Sequence, residues 1–225
     1  MLGTPRLHLR ATDSTNERAR GLAVAGAPHG ALVTAAEQAA GRGRQGRTWS
    51  APAGQALLMS LLLRDPPRFL PLAAAVAVAD VAGDGARIKW PNDVLLDGRK
   101  VAGILVEGRP QERWAVLGIG LNVAIRVEDL PADLRETATT LGLAARDVEP
   151  TLERLLAALE RRLADGEAAI LESWRARDAL RGREVRWAAG TGRAAGVDDD
   201  GRLLVDVAGG GRTALDAGEV HLLRQ

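Results

Sequence analysis

A domain of mixed helices and strands, closed by a small all-β unit, is the fold that the sequence predicts, and three features predict it. Residues 151–163 (TLERLLAALERRL) put Leu152, Leu155, Leu156, Leu159 and Leu163 on one helical face, the 3.6-residue period of an amphipathic helix. Upstream, apolar runs of strand length flank Asp97-Gly98, a dipeptide favoured in two-residue hairpins because both positions take positive φ. After Leu180 the texture changes to five short apolar segments within about 45 residues, separated by Gly- or Asp-rich turns, the spacing of a small barrel.

The elements follow in order. Residues 6–10 (RLHLR) alternate as a short strand does. Ser14-Thr15-Asn16-Glu17 puts Ser at an N-cap and Glu three residues on, a capping box for a helix reaching about residue 25. Residues 31–37 read as a strand, and 38–54, rich in Gly and Arg without apolar period, as a loop. Residues 55–64 (QALLMSLLLR) are a fully buried strand and 68–83 an Ala- and Val-rich buried helix. Residues 87–90 form a short strand closed by Pro91 and Asn92, 94–96 and 100–107 the arms of the hairpin, and 113–123 a long strand. A further helix covers 167–177, and the terminal strands cover 185–187, 194–197, 203–207, 213–215 and 220–223. A boundary near 180–182 divides the chain into domains 1–180 and 181–225. The second is too small to be very stable alone and is expected to pack on the first.

Composition excludes several classes. The 225 residues carry 30 Lys+Arg against 29 Asp+Glu, a net charge of +1, which argues against coating nucleic acid or anionic membrane by bulk charge. The absence of Cys removes disulfides, thiol catalysis and Cys-ligated zinc. No apolar core of signal-peptide length stands at the N-terminus. The most hydrophobic stretches, 56–63 and 72–79, are about a third to a half of a membrane span. A soluble cytoplasmic protein without membrane contact is expected. Hidden in the basic total is an asymmetry: Lys89 and Lys100 are the only lysines, and Asn16, Asn92 and Asn122 the only asparagines.

Three segments carry chemistry. Gly41-Arg42-Gly43-Arg44-Gln45-Gly46-Arg47-Thr48-Trp49 alternates glycine with arginine, and no acidic residue lies between Gln38 and Leu63. Glycines let successive N–H groups turn toward an anion, and arginines offer planar forks to phosphate. A solvated surface turn, or an RNA contact with Trp49 as stacking platform, stays open. In the second segment both lysines, Asn92 and Asp93 bracket one hairpin. Closing it at Asp97-Gly98 can return Lys100 to Asp93 and Lys89, a cluster suited to holding an oxyanion. Exposed charges on a turn and an edge strand are the bland alternative. In the third segment, Gly118 and Gly120 inside a strand mark close approach by a ligand or another backbone. Asn122 offers an amide to a base or sugar, and a bulge with an Asn turn fits as well.

Together, in this order and spacing, these segments resemble biotin protein ligases. The resemblance runs through Ser14-Thr15-Asn16, Glu37-Gln38, the Gly41 to Trp49 loop, Lys89-Trp90-Pro91-Asn92-Asp93, Lys100-x-x-Gly103-Ile104-Leu105-x-Glu107 and Gly118-x-Gly120-x-Asn122. It is dense over about residues 10–125 and rests beyond them on general texture. It implies an α+β fold: a mixed, mostly antiparallel sheet backed by helices, as in class II aminoacyl-tRNA synthetase cores, with a small SH3-like β-barrel at the C-terminus. It also implies a two-step reaction. Biotin and MgATP give biotinyl-5′-AMP and pyrophosphate, and a lysine of the biotin carboxyl-carrier domain of a biotin-dependent carboxylase then attacks the activated carbonyl. Mg²⁺ is expected on the ATP phosphates, with no protein ligand set.

By the same resemblance Lys100 bridges the biotin carboxylate and the α-phosphate, Asp93 orients or deprotonates the acceptor lysine, and Arg44 completes the catalytic set. Ser14, Thr15, Asn16, Gln38, Gly41, Arg42, Arg44, Lys100 and Gly103 fall to biotin. Arg42, Arg44, Arg47, Trp49, Lys89, Asn92, Lys100 and Asn122 fall to ATP and the adenylate. Regulatory members of the family carry a helix-turn-helix domain ahead of the Ser-Thr-Asn segment. Here that segment starts at Ser14, so a ligase without operator binding is expected. Pairing of two copies at a sheet edge is open by analogy alone. A lipoate–protein ligase with the same adenylation logic is the nearest alternative, and a non-enzymatic RNA-binding protein is the alternative from another class.

Overall fold

A strand as uniformly apolar as 56–63 needs cover on both faces of its sheet. The computed structural model describes residues 1–216, 218 and 220–223, so positions 217, 219, 224 and 225 of the expected second domain lie outside the described residues. The chain runs through β1 (Arg6–Leu9), α1 (Thr15–Val24), β2 (Leu32–Ala35), the two-residue strands β3 (Gly41–Arg42) and β4 (Thr48–Trp49), and β5 (Ala56–Arg64). Then come α2 (Leu70–Ala82), β6 (Ala86–Lys89), β7 (Asp93–Leu96), β8 (Arg99–Arg109) and β9 (Trp114–Asn122). Helices α3 (Val148–Ala164) and α4 (Glu167–Arg175) precede β10 (Glu184–Trp187), β11 (Gly190–Val197), β12 (Leu203–Val207), β13 (Gly211–Leu215) and β14 (His221–Leu222).

Seven strands form one mixed sheet in the order β1-β2-β5-β9-β8-β7-β6. Only β1 and β2 are parallel, because α1 carries the chain back over the sheet between them. The other pairs are antiparallel, with short connections joining β6 to β7, β7 to β8 and β8 to β9. Asp97 and Gly98 take φ of 51° and 74°, as the hairpin reading requires. The five terminal strands form a separate antiparallel sheet, β13-β12-β11-β10-β14, the SH3-like unit. The α+β class and its small β appendage therefore stand as expected.

Period two divides the faces of the large sheet. Leu57, Met59, Leu61 and Leu63 of β5 join Leu117, Ile119 and Leu121 of β9 in the main core. Beneath that face lies α2, apolar all round except at Asp80, which pairs with Arg162 and Arg177, and packed on β8 and on α3 and α4. On the opposite face Leu62, Val33 and Val116 meet Ala19 and Ala23 of α1. That short helix covers only part of the face, and what it leaves uncovered becomes the site described below.

The C-terminal unit shares the main core through Leu180, Val185, Val197, Leu203 and Val205. Trp90 Nε1 donates to Gly201 O at 3.1 Å. The edge strand β6 is extended by residues 177–179, with Ile88 N donating to Arg177 O at 2.7 Å and Ala179 N to Ile88 O at 2.9 Å. No helix among the described residues is long and apolar enough to cross a membrane.

The structure corrects one expectation. Ser14 occupies the N-cap of α1, but no side-chain bond caps the helix from it, so the capping box does not form. Glu17, its expected second member, pairs with Arg20 and Arg42 instead. Gln38 takes over, its Oε1 accepting from Thr15 N at 2.7 Å. α3 also starts earlier than the leucine period, at Val148, with Pro150 tolerated in its first turn.

Asp178 lies where the two sheets join. Its Oδ1 accepts from Leu180 N at 2.8 Å, while Oδ2 is buried without a hydrogen-bond partner among the described residues. Burial raises its carboxyl above the ordinary range, against the partial offset of the Leu180 and Arg181 N–H groups. The folded chain then holds this proton more tightly than the unfolded one. Stability falls as pH rises from the unfolded pKa through the folded pKa, and stays lowered above it. Asp178→Asn keeps the Oδ1 acceptor. It should raise Tm at neutral pH by about 2–4 °C, what roughly 1 kcal/mol is worth in a chain of this size. The gain should vanish near pH 4; a Tm shift independent of pH in thermal melts would contradict the assignment.

Candidate active site

The face that α1 covers carries Leu62 of β5 and Val116 of β9. Two residues further along each strand, on the same face, stand Ser60 and Gly118, a cross-strand pair. Gly120 follows in β9, with Gly103 of β8 directly opposite it. Where the helix stops, the side chains shrink, and a cleft of about 620 Å³ opens over these glycines. Its walls are the N-terminus of α1, loop 41–49, the β7–β8 hairpin, residues 130–138 and β14.

The glycines admit two side chains of the chain itself. A Cβ on Gly118 would stand 2.1 Å from Asn16 Oδ1, one on Gly120 would stand 2.4 Å from Trp49 Cε2, and one on Gly103 3.0 Å from Trp49 Cζ3. Close approach was legible in the sequence; the identity of the approaching groups was not.

At the α1 end the buried residues Thr15, Asn16 and Ser60 form a hydrogen-bonded chain. Gln38 Oε1 accepts from Thr15 N at 2.7 Å and from Thr15 Oγ1 at 3.0 Å. Ser60 Oγ lies 2.6 Å from Asn16 Oδ1 and 2.8 Å from Thr15 Oγ1. Asn16 Nδ2 donates to Glu107 Oε2 at 2.8 Å, which fixes the amide with Oδ1 toward Ser60. Glu107 Oε1 in turn takes Arg42 at 3.0 Å, and Arg42 also reaches Glu17 at 3.4 Å. Arg42 is thus held at this end by two carboxylates. Ser14, buried at the N-cap, lines the same end.

The other end holds the second cation cluster. Lys100 Nζ lies 2.6 Å from Asp93 Oδ1 in an ion pair whose angles fall short of a directed hydrogen bond. The Trp49 ring faces the same ammonium, 5.5 Å from centroid to Nζ, and the Trp49 N–H is buried without a hydrogen-bond partner among the described residues. Arg44, Arg47 and Lys89 line the cleft beside this pair, and with His221 they also border a small recess under Trp90 and Pro91. The loop achieves this division by turning sharply: Gly43 N donates to Arg47 O at 2.6 Å, and Gln45 and Gly46 take φ of 54° and 76°. Gly41 pairs with Trp49 across the loop stem.

Two asparagines spend their amides on the scaffold. Asn92 Nδ2 donates to Ile104 O at 2.9 Å, locking β7 to β8, and Asn122 Nδ2 donates to Thr139 O at 2.8 Å. The sequence reading missed the wall at 130–138, where Leu130, Leu134, Glu136 and Thr137 line the cleft. This irregular segment has no period, yet it is bound to the hairpin: Lys100 N donates to Thr137 O at 2.7 Å and Thr139 N to Lys100 O at 2.8 Å. Also missed were Arg183, His221, Leu222 and Leu223, contributed by the second sheet. No three His, Asp or Glu side chains converge as a metal cage among the described residues.

Comparison with known proteins gives a consistent picture. Residues 9–123 match the model of the "Biotin/lipoate A/B protein ligase family", and residues 181–223 match the "Biotin protein ligase C terminal domain". A biotin–[acetyl-CoA-carboxylase] ligase of Mycobacterium tuberculosis is 39% identical, over 95% of this chain and 87% of that protein. One of Paracoccus denitrificans is 38% identical, over 94% and 98%. Among solved structures, the biotin protein ligase of Aquifex aeolicus in complex with biotin and ATP superposes with a TM-score of 0.80 at 28% identity, covering 99% of this chain and 100% of that one.

The contact between Gly118 and Asn16 can be tested directly. Gly118→Ala should push Asn16 off Ser60 and Glu107 and lower Tm by roughly 2–12 °C, the range of an overpacking cost of about 1–3 kcal/mol. Adding Asn16→Ala should recover most of that loss in thermal melts, since the two changes act on one contact; strict additivity would refute it.

Proposed function

The chain belongs to the biotin/lipoate A/B protein ligase family and is a biotin protein ligase acting through biotinyl-5′-AMP; we propose how its cleft divides that work. One observation carries the proposal: both lysines of the chain and two of the loop arginines line one end of a single cleft, with a hydrogen-bonding chain at the other.

A carboxylate attacking an α-phosphate brings two anions together, so fixed cations are the first requirement of the site. Lys100 stands between the biotin carboxylate and the α-phosphate. A carboxylate oxygen bonds to the α-phosphorus, the bond to the bridging oxygen breaks, and pyrophosphate leaves with the electron pair. Arg44, Arg47 and Lys89 take the charge of the departing phosphates. In the second step the neutral amine of the acceptor lysine attacks the activated carbonyl, the carbon–oxygen bond to the phosphate breaks, AMP leaves with that electron pair, and the proton lost from nitrogen passes to solvent. Once the substrate anions draw the Lys100 ammonium away, Asp93 has a carboxylate with which to orient that amine.

Ser14, Thr15 and Gln38 serve the biotin head group. Asn16 and Arg42, joined through Glu107, shape the wall behind it. Trp49 closes the adenylate side, Asn92 holds the hairpin that carries Lys100, and Asn122 anchors the wall facing the nucleotide. Mg²⁺ enters on the ATP phosphates as part of the substrate. The acceptor is a biotin carboxyl-carrier domain, with that of acetyl-CoA carboxylase the first to try.

Incubation with biotin, MgATP and such a carrier domain should add one biotin to one lysine, read as a mass adduct that requires ATP. Lys100→Ala should cut biotin-dependent ATP–pyrophosphate exchange by about 10²–10³-fold, the scale of removing a charge-stabilising group, with an unchanged circular dichroism spectrum. Near-normal exchange would end the assignment. Loop 41–49 should resist protease once biotin and ATP are both present, and equal cleavage with and without them would exclude ligand-driven ordering.

A further inference from the structure

The chain has five tryptophans, and Trp49 is set apart by where its ring lies. Trp90, Trp114 and Trp174 are buried in the protein; Trp90 and Trp114 spend their N–H groups on Gly201 O and Glu112 Oε2, while the Trp174 N–H, like that of Trp49, has no partner among the described residues. Trp187 packs against Gly190. Trp49 instead lies across the Gly103–Gly120 pair, 2.4 Å from where a Cβ of Gly120 would be, and gains no hydrogen bond for its buried N–H. What distinguishes Trp49 is a seat of bare backbone that leaves its face open, and the charge on that face is Lys100 Nζ at 5.5 Å.

We infer that Trp49, seated by the cross-strand glycines Gly103 and Gly120, is a positioning residue for Lys100. The inference rests on the reading above, in which the Lys100 ammonium contacts the reacting anions. Asp93 alone cannot fix that ammonium, because substrate anions compete with it for the same charge. The indole face attracts the cation without an anion of its own, so its hold persists while Nζ moves from Asp93 to the substrates. Trp49 belongs to β4, which pairs with β3 at the stem of the Gly/Arg loop. Placement of the loop stem and placement of the lysine are therefore one event.

The test is steady-state ATP–pyrophosphate exchange, with kcat and the KM for ATP measured separately for Trp49→Leu, Trp49→Phe and Gly120→Ala, each checked by thermal melting. Leu fills volume without a π face and should lower kcat about tenfold, within the range of a partly desolvated cation–π contact, while KM for ATP moves less than kcat does. Phe keeps a face and deletes the unpaired N–H, so it should hold kcat within about threefold of wild type. Gly120→Ala leaves every polar group of the cleft in place and fills the seat, and should behave like Leu. Should Leu fail to fold, Phe and Gly120→Ala supply the comparison. A rise in KM for ATP exceeding the fall in kcat would make Trp49 a nucleotide wall only, and Phe no better than Leu would equally overturn the inference. Lys100→Ala separates the two levels. Full exchange in that variant removes the parent reading, whereas loss of exchange there with kcat intact in Trp49→Leu removes this inference alone.

Discussion

Register between β8, β9 and β5 is the constraint from which the rest of the molecule follows. In β9 the residues Leu117, Ile119 and Leu121 point into the core, and Gly118, Gly120 and Asn122 alternate with them toward the cleft. Period two makes these two sets inseparable. A slip of one residue would turn the leucines into the cleft and leave glycines against α2. The core is thus what guarantees the glycine floor, and the floor is what lets Asn16 and Trp49 come close from above. The site is held to its geometry by burial on the face it does not use.

Charge is arranged on the same economical plan. Two of the cations that face the cleft are met by acids from within the chain: Arg42 by Glu107 and Glu17, Lys100 by Asp93. Such pairing offsets part of the positive charge in the cleft, which fits a chain whose formal net charge is only +1. It also holds Arg42 and Lys100 near the geometry that anionic substrates need, so at these two cations binding exchanges one anion for another. The glutamate at 107 does double duty, since the carboxylate that meets Arg42 also orients the amide of Asn16.

How much of this was legible depended on whether the signal was local. The hairpin at Asp97-Gly98, the leucine face of α3 and the five terminal strands declare themselves through turn chemistry and period, and each is present. The cap of α1 misled, because its acceptor is Gln38, 23 residues away in sequence, and no local pattern announces a partner supplied by tertiary contact. The wall at 130–138 stayed invisible for a related reason. It is irregular, and its bonds to Lys100 of the hairpin are backbone ones, which carry no side-chain signature. The scarcity of lysine and asparagine ranked positions without assigning roles; the roles came from resemblance. Asn92 and Asn122, both expected at the nucleotide, donate their amides to backbone carbonyls, a supporting duty that composition alone cannot distinguish from a direct one.

The cleft is walled by residues 14–16 at one extreme of the fold and by His221 and Leu222 at the other. The reaction chamber thus takes its walls from segments far apart along the polypeptide. As the chain is made on a ribosome, the helix, the glycine floor and both lysines emerge well before β14 does, yet the chamber stays open on one side until that strand docks against β10. An activated acyl group formed too early would face water with nothing to retain it. A chain lacking β14 would therefore keep both lysines and the glycine floor but lose the side of the cleft that His221 and Leu222 supply.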